Sequence, residues 1–373
     1  MKNKIGIVST QFTINYGAVL QAYSLYKLVD KINNGNVEII DYCPEGDRYG
    51  HVENYSFSSF KSTIVSLATL FNINYKHGRK NKKLGFSKFV SDEFVMTKSK
   101  YKTNEELKNA NFDYNVCITG SDQVWNPRVI NDDSFYLNFL KSNVRKVSYA
   151  ASIGDELDGE GLKILSQHIK DFHEVSLREP IQVEEIKELI EKDVAVNIDP
   201  VFLTSRHDWI ELSKKSTLSK DNLGDYILVY EVNSPSNFKK YVESLKSKYS
   251  CKVIEVSTRP IPKYRGVENI PNASPYDFLY LISNAKFVMT SSFHGVAFSC
   301  LLNIPFSTAL GNTRSGRQVN ILNMFGLEHC IISNEKELYN NYDSNFDWTY
   351  VNECIENLNN ESNNYLTRAI NND

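Results

Sequence analysis

Short apolar runs alternate with segments of helical periodicity along most of the chain. Residues 4–9 form an apolar run that predicts a strand. Residues 17–32 carry apolar side chains at three- and four-residue steps, which predicts an amphipathic helix. Because this strand–helix order recurs further along the chain, we predict an α/β fold with mostly parallel sheets.

The predicted elements fall into two sets separated by a polar stretch. Strands of the first set are predicted at 4–9, 37–42, 114–120, 146–150, 174–177 and 194–197, with helices at about 17–32, 58–71, 84–94, 160–173 and 180–192. Strands of the second set are predicted at 226–230, 252–256 and 287–290, with helices at about 236–248, 275–285, 317–325 and one that starts near 293. Residues 213–225 between the sets are rich in Ser, Lys, Asp and Gly and have the composition of a hinge.

The length of 373 residues favours two domains, because one hydrophobic core organises roughly 250–300 residues. We predict Rossmann-like domains at 1–205 and 223–345. A C-terminal helix within 346–373 is expected to cross back to the first domain.

Composition narrows the classes of function. A net charge of -3 gives no electrostatic basis for nucleic-acid binding, so no nucleic-acid partner is expected. Six scattered cysteines without a C-x-x-C pair are typical of reduced thiols in a cytoplasmic protein. Seven histidines without metal-ligand spacing predict no metal site, and we expect no resident cofactor. The apolar start predicts a strand rather than a signal peptide. The sequence has no run of about 18 apolar residues, so no transmembrane helix is predicted.

The most informative segment joins an apolar strand at 286–290 to an apolar helix through Ser291-Ser292-Phe293-His294-Gly295. Either serine can cap the helix, and a helix N-terminus attracts phosphate or carboxylate groups. Histidine is the side chain best suited to exchange protons near neutral pH, and the carboxyl ends of strands are where α/β sheets bind ligands. The alternative is a capping turn with a structural histidine.

Two further strand-to-turn segments carry polar groups. At Gly120-Ser121-Asp122-Gln123, the glycine permits a close backbone approach or a positive φ, and the polar groups would face a ligand. The alternative is a turn that places Trp125 in the core. The first βα turn, Asn15-Tyr16-Gly17, lacks the G-x-G-x-x-G dinucleotide fingerprint but leaves a small-residue loop for an acceptor or anion.

Three arginines are candidates for anion recognition, because the planar guanidinium suits bidentate binding of carboxylate or phosphate. Arg178 directly follows an apolar strand, while Arg314 and Arg317 occupy a Gly/Ser loop before a predicted helix. For each of them, a solvated salt bridge is the alternative.

Taken together and in this order, these segments resemble the polysaccharide pyruvyl transferase family over residues 4–326. The matching stretches are Asn15-Tyr16-Gly17-Ala18-Val19-Leu20-Gln21-Ala22, Gly120-Ser121-Asp122-Gln123-Val124-Trp125-Asn126, Tyr149-Ala150-Ala151-Ser152, Ser176-Leu177-Arg178-Glu179, Asp199-Pro200-Val201 and Thr290-Ser291-Ser292-Phe293-His294-Gly295. The resemblance implies a GT-B-like fold, with two Rossmann-like domains facing a cleft. It also implies transfer of pyruvate from phosphoenolpyruvate to a sugar of a cell-surface polysaccharide or its precursor, with formation of a cyclic ketal and release of phosphate.

The resemblance implies that Arg178 and His294 belong to the donor site. Family members resemble R-x-H-G where this chain has Ser292-Phe293-His294-Gly295, so the basic residue is missing. Either Arg314 or Arg317 replaces it, or the donor differs.

Each predicted domain is assigned a side of the reaction. We assign donor binding in the second domain to Ser291, Ser292, Phe293, Gly295, Arg314 and Arg317, with His294 as general acid/base. We assign acceptor binding in the first domain to Asn15, Tyr16, Gly17, Ser121, Asp122 and Gln123.

Several alternatives stay open at this point. The fold also suits a glycosyltransferase that uses a nucleotide-sugar donor, or a non-catalytic saccharide-binding relative. The sequence leaves open whether the acceptor is lipid-linked. A lipid-linked acceptor would bring the protein into peripheral contact with the inner face of the cell membrane.

Overall fold

The computed structural model describes residues 3–44, 73–130, 132–232, 235–249, 251–257, 263–311 and 316–371. The helix predicted at 58–71 and the role predicted for Arg314 lie outside these residues. The chain divides into two compact units. Among the described residues, the first unit holds 3–44, 90–204 and 356–371, and the second holds 73–89 and 205–355.

The described residues of the first unit form seven strands and the helices that connect them. Its strands are β1 (Ile5–Val8), β2 (Val37–Tyr42), β3 (Met96–Tyr101), β4 (Val116–Thr119), β5 (Arg145–Ser148), β6 (Val175–Leu177) and β7 (Val194–Val196). Its helices are α1 (Tyr16–Ile32), the end of α2 (Ile73–Glu93), α3 (Asn104–Asn109), α4 (Gly159–Ile169) and α5 (Val183–Ile190), with short 3-10 turns at Asp133–Tyr136 and Pro200–Leu203.

The strands of the first unit are all parallel. Five of them lie in the order β3-β2-β1-β4-β5, and β6 pairs with β7. Isolated bridges from Val147 to Glu174 and from Ala151 to Leu177 connect β5 to β6. Strand order reverses between β1 and β4, and the crevice outside such a switch point is where open α/β sheets bind ligands.

The second unit repeats this strand order. Its strands are β8 (Tyr226–Tyr230), β9 (Lys252–Glu255), β10 (Glu268–Asn269), β11 (Phe287–Thr290) and β12 (Phe306–Thr308). Its helices are most of α2, α6 (Arg206–Ser213), α7 (Lys220–Leu223), α8 (Phe238–Lys248), α9 (Pro275–Ser283), α10 (Phe293–Leu302), α11 (Gly316–Phe325), α12 (Glu335–Asp343) and the start of α13 (Thr349–Asn371), with a 3-10 turn at Glu328–Cys330. All five strands are parallel in the order β10-β9-β8-β11-β12, so the switch point lies between β8 and β11.

The central strands are buried along their whole length, because helices cover both faces of a parallel sheet. Every residue of β1, β4, β8 and β11 is buried. These are the apolar runs that the sequence marks most clearly, and the predicted α/β class with mostly parallel sheets is confirmed.

Three strands needed to complete the sheets escape the sequence pattern. β3 is rich in Lys, Ser and Thr because it is an edge strand with several exposed residues, while β10 spans only two residues and β12 only three. The stretch interpreted as a hinge includes the end of α6 and all of α7. None of the described helices combines the length and the hydropathy that a membrane-spanning segment needs.

Candidate active site

The motifs singled out in the sequence lie at the carboxyl ends of strands in each sheet. The segment 120–126 follows β4, and the segment 291–295 follows β11. β4 is adjacent to β1, and β11 is adjacent to β8. Each motif therefore lies at the switch point of its own sheet, where ligand binding is expected.

In the second unit, Thr290 and Gly295 hold the start of α10 against the end of β11. The Thr290 hydroxyl donates to the carbonyl oxygen of Tyr230 at 2.7 Å and accepts from the Ser292 amide at 3.0 Å. A Cβ on Gly295 would lie 2.2 Å from Thr290 Oγ1. The glycine predicted to bind donor thus has a packing role, because only a residue without a side chain lets the helix approach this strand so closely.

Protein groups engage the two serines that were predicted to bind donor and to cap α10. Ser291 Oγ accepts from the backbone amide of Val232 at 3.1 Å. Ser292 is hydrogen-bonded to the Tyr230 hydroxyl. Burial raises the pKa of Tyr230 to about 12, although the bond with Ser292 acts to lower this pKa. Ser292 occupies the N-cap position, but its side chain makes no capping bond, so the capping prediction is wrong.

Phe293, His294 and Arg317 form the part of this edge that offers recognition chemistry. The rings of Phe293 and His294 meet edge to face, with centroids 5.2 Å apart. The guanidinium carbon of Arg317 lies 5.6 Å from the centroid of the Phe293 ring, within cation–π range. His294 is 8% exposed and Arg317 is partly exposed. A cation and an imidazole therefore both lie next to one aromatic residue.

A network of charged groups that was not predicted from the sequence follows β8 and β9 in the same unit. Lys263 Nζ lies 2.5 and 2.7 Å from the two carboxylate oxygens of Glu231, and the Tyr264 hydroxyl donates to Glu231 at 2.7 Å. The backbone amide of Lys263 donates to the buried Glu255 carboxylate at 2.8 Å. Glu231 shares the signal that marked Arg178, a charged residue directly after an apolar strand, whereas no pattern indicates Lys263.

In the first unit, the buried Gln21 ties the β1–α1 turn to the turn after β4. Its amide nitrogen donates to Ser9 Oγ at 2.9 Å and Thr10 Oγ1 at 3.3 Å, and its oxygen accepts from the Ser121 amide at 3.1 Å. Ser121 also donates its hydroxyl to the Ala150 carbonyl oxygen at 2.7 Å. Ser121, predicted to bind acceptor, is therefore fully buried and joined to protein groups.

The other predicted acceptor residues of the β1–α1 turn begin α1. Asn15 is exposed and caps the helix, since its side-chain oxygen accepts from the Ala18 amide at 3.3 Å. Tyr16 and Gly17 are buried in the first turn. Asn15 is therefore the residue of this turn that can meet a ligand.

The turn after β4 combines structural residues with one partly exposed carboxylate. Gly120 has φ +132, and a Cβ there would lie 2.1 Å from the Tyr149 carbonyl oxygen, so both expected reasons for the glycine apply. Gln123 is buried and accepts from the Asn126 side chain at 3.0 Å. Trp125 is 1% exposed and lies in the core. Asp122 is partly exposed at φ +64 and is the ligand-accessible group of this turn.

Arg178 lies at the end of β6 in a buried ion network rather than in a solvated salt bridge. Its Nε donates to Glu179 Oε1 at 3.0 Å, and its Nη1 donates to Asp199 Oδ2 at 2.8 Å. Burial works to lower the pKa of Arg178, but the charges of Glu179, Asp199 and Asp122 outweigh it and raise the pKa. The guanidinium therefore stays charged throughout the physiological pH range.

Ser152 connects a further strand end to this network, since its hydroxyl donates to Glu179 Oε1 at 2.8 Å. The stretches Tyr149–Ser152, Ser176–Glu179 and Asp199–Val201, which look unrelated in the sequence, thus meet through their side chains at one edge of the sheet. In the described part of the chain, no group of three or more His, Cys, Asp or Glu side chains is arranged to hold a metal ion.

A known protein family matches most of the chain. The family model described as polysaccharide pyruvyl transferase matches residues 15–312, which include the motif stretches of both units. The chain belongs to the polysaccharide pyruvyl transferase family. As a member of this family, the protein is a transferase that acts in polysaccharide pyruvylation. No curated protein shows a significant match to the chain.

Solved structures of other enzymes superpose on this family member over nearly their whole length. A putative UDP-N-acetylglucosamine 2-epimerase from Listeria monocytogenes superposes with a TM-score of 0.51 at 11% identity, covering 100% of this chain and 94% of that one. Another UDP-N-acetylglucosamine 2-epimerase gives 0.50 at 10% identity, covering 96% of each chain. At this level of identity the likeness shows the fold alone, which is GT-B-like as predicted.

Proposed function

We propose that the protein transfers pyruvate from phosphoenolpyruvate to two hydroxyls of one sugar, forming a cyclic ketal and releasing phosphate. The acceptor is a sugar of a cell-surface polysaccharide or of its precursor, lipid-linked or free. Within the family, the observation that carries the proposal for this chain is the grouping of Arg317, Phe293 and His294 at the carboxyl edge of β11. It brings a cation and a proton-transfer group to the switch point of one sheet.

Arg317 is our candidate for the positive charge that Ser292 does not supply. Phosphoenolpyruvate carries a phosphate and a carboxylate, and a guanidinium can bind either of them through two parallel hydrogen bonds. Arg317 packs over Phe293, the residue that follows Ser292, so its charge lies close to the position of the missing basic side chain. Arg178 is the donor-binding arginine that we propose for the first unit.

His294 is proposed as the general acid/base. In the balanced reaction, a sugar hydroxyl oxygen attacks C2 of the donor and loses its proton, while the methylene carbon gains one to become a methyl group. The oxygen of the second hydroxyl then bonds to the same carbon as the C2–O bond to phosphate breaks, and its proton leaves with the phosphate, so that a ketal and inorganic phosphate result. An imidazole can serve either proton transfer at carbon or proton removal from the hydroxyl.

The acceptor is assigned to the first unit. Asp122 and Asn15 offer partly exposed or exposed polar groups, whereas Tyr16, Gly17, Ser121 and Gln123 are buried and shape the turns that carry them. A carboxylate and an amide suit the hydroxyls of a sugar, because both accept hydrogen bonds. A cytoplasmic location, with peripheral contact to the membrane for a lipid-linked acceptor, is consistent with six cysteines that are thiols rather than disulfides.

Thermal unfolding with phosphoenolpyruvate tests the donor, because a ligand that binds the native state raises apparent stability. We expect the midpoint to rise with phosphoenolpyruvate more than with equimolar phosphate, and Arg317→Ala to remove most of that difference. Arg206→Ala, at an exposed arginine at the start of α6, is the matched control and should keep it. A rise with nucleoside diphosphates and none with phosphoenolpyruvate would instead establish a nucleotide-sugar transferase.

A further inference from the structure

We infer that Asp199 and Glu179 are positioning residues that hold the Arg178 guanidinium in the orientation needed for donor binding. The inference rests on the proposed function, in which Arg178 binds the phosphoenolpyruvate anion. In this inference neither carboxylate contacts the donor directly. Both affect donor binding by orienting the arginine.

The geometry fixes the guanidinium at two points. Glu179, at the end of β6, accepts from Nε at 3.0 Å, and Asp199, after β7, accepts from Nη1 at 2.8 Å. Because two different nitrogens of a planar group are bound, neither its position nor its rotation is left to the flexible side chain. All three side chains are at most 4% exposed, so water does not compete for these bonds.

The carboxylates are held in turn by groups of the same unit. The second oxygen of Asp199, Oδ1, accepts from the Val201 amide at 3.1 Å. Glu179 Oε1 also accepts from the Ser152 hydroxyl, and Ser152 Oγ accepts from the Gly154 amide at 3.1 Å. The orientation of Arg178 is thus set by backbone amides on two sides of β6.

Stability alone gives a poor account of this network. Two carboxylates share one guanidinium, and the charge of Asp122 also acts on it, so the cluster buries more negative than positive charge. Burying charged groups costs desolvation free energy, whereas burying a well-packed apolar cluster in the same place would not. Holding a recognition group within a fraction of an ångström of its productive geometry is the kind of function that offsets this cost.

The binding constant for phosphoenolpyruvate, measured by calorimetry below the unfolding temperature, distinguishes orientation from charge. Asp199→Ala removes the anchor of Nη1 and should weaken binding by about tenfold, the loss of one hydrogen bond to a charged group. Asp199→Asn keeps an acceptor oxygen and removes only a negative charge that opposes the donor. Its binding constant should stay within about threefold of wild type.

Two further variants keep the test decisive. Glu179→Asp retains the charge but is one methylene too short to reach Nε, so it should also bind about tenfold more weakly, and it carries the test if Asp199→Ala does not fold. Glu174→Ala is the control, because Glu174 pairs with Arg145 at 3.2 Å at the opposite end of β6. Its binding constant should match that of wild type.

The outcomes separate this inference from the proposed function. Wild-type binding constants in Asp199→Ala and Glu179→Asp, with only the unfolding temperature lowered, would show that the network is merely structural. Equal weakening in Asp199→Asn and Asp199→Ala would show that charge rather than orientation matters, which also overturns the inference. If wild type and Glu174→Ala both fail to bind phosphoenolpyruvate, the proposed donor is wrong and the inference falls with it.

Discussion

His294 and its neighbours in the turn after β11 divide the work between structure and chemistry. Thr290 and Gly295 hold the helix to the strand, and Ser291 and Ser292 bond to Val232 and Tyr230. His294 is the member of the motif whose side chain can carry protons. Adjacent residues of a single sequence motif therefore have different roles, some structural and one chemical.

Replacing this histidine tests its proposed role. We expect His294→Ala to lower phosphate release from phosphoenolpyruvate by about 10²–10⁴-fold in the presence of an accepted monosaccharide glycoside, which is the usual contribution of general acid/base catalysis. The thermal shift with phosphoenolpyruvate should persist, because Arg317 is unchanged. The control is His207→Ala, an exposed histidine of α6. Turnover of His294→Ala within about threefold of wild type would place the proton transfer elsewhere.

At the scale of elements, the approach of α10 to β11 sets the position of this edge. Thr290 cannot move away from the helix without losing its bonds to the Tyr230 carbonyl oxygen and the Ser292 amide. The close approach therefore depends on a glycine at position 295.

Gly295→Ala should destabilise the protein by about 1–3 kcal/mol, the typical cost of an added group in a packed interior. The new Cβ would meet Thr290 Oγ1 at 2.2 Å and Thr290 Cβ at 2.9 Å. Gly316→Ala, at the start of α11, is the control, because among the described residues an added Cβ would meet nothing within 4 Å beyond its own chain neighbours and helix backbone. It should be neutral or stabilising by up to about 1 kcal/mol. Urea unfolding compares the two, and equal midpoints would show that the strand yields freely.

The C-terminal helix shows how a distant segment completes the first unit. From Glu356 onward, the residues of α13 belong to that unit. The buried Tyr365 hydroxyl donates to the Ser148 carbonyl oxygen at 2.8 Å, and Arg145 Nε donates to the Ala369 carbonyl oxygen at 2.8 Å. These bonds tie the end of the chain to both ends of β5.

At the scale of the whole molecule, buried tyrosines couple stability to alkaline pH. Burial raises the pKa of Tyr149, Tyr226, Tyr230 and Tyr365 among others. Each stays protonated in the folded protein at a pH where the unfolded chain releases the proton. Stability from these groups is fully present below about pH 10 and is lost as the pH rises further.

Tyr149→Phe isolates one such contribution. Burial is the main cause of the raised pKa of Tyr149, whose hydroxyl donates to the Ile198 carbonyl oxygen at 3.0 Å. The unfolding free energy of wild type relative to this variant should fall by about 1.4 kcal/mol for each pH unit above about 10. Urea unfolding between about pH 9 and 11 measures it. Val147→Ala, a nearby buried change without a titrating group, should differ from wild type by a constant amount, and the same constancy in Tyr149→Phe would contradict the prediction.

The sequence by itself determined the α/β class, the positions of the central strands and the strand ends that carry the motifs. These features depend on neighbouring residues, because a fully buried strand is a continuous apolar run and the polar residues follow where it ends. For the same reason His294, Asp122 and Arg178 could be singled out. The edge strands β3, β10 and β12 could not, since β3 is polar and the other two are short.

Only the tertiary structure decided which of these residues meet. Gln21 bonds to Ser121 across 100 positions, Lys263 to Glu231 across 32, and Arg178 to Asp199 across 21. Such pairs depend on the order of strands in the sheet, which brings distant strand ends to one edge and which no local pattern encodes. The same order separates the buried residues that build each turn from the few side chains that remain to meet a ligand.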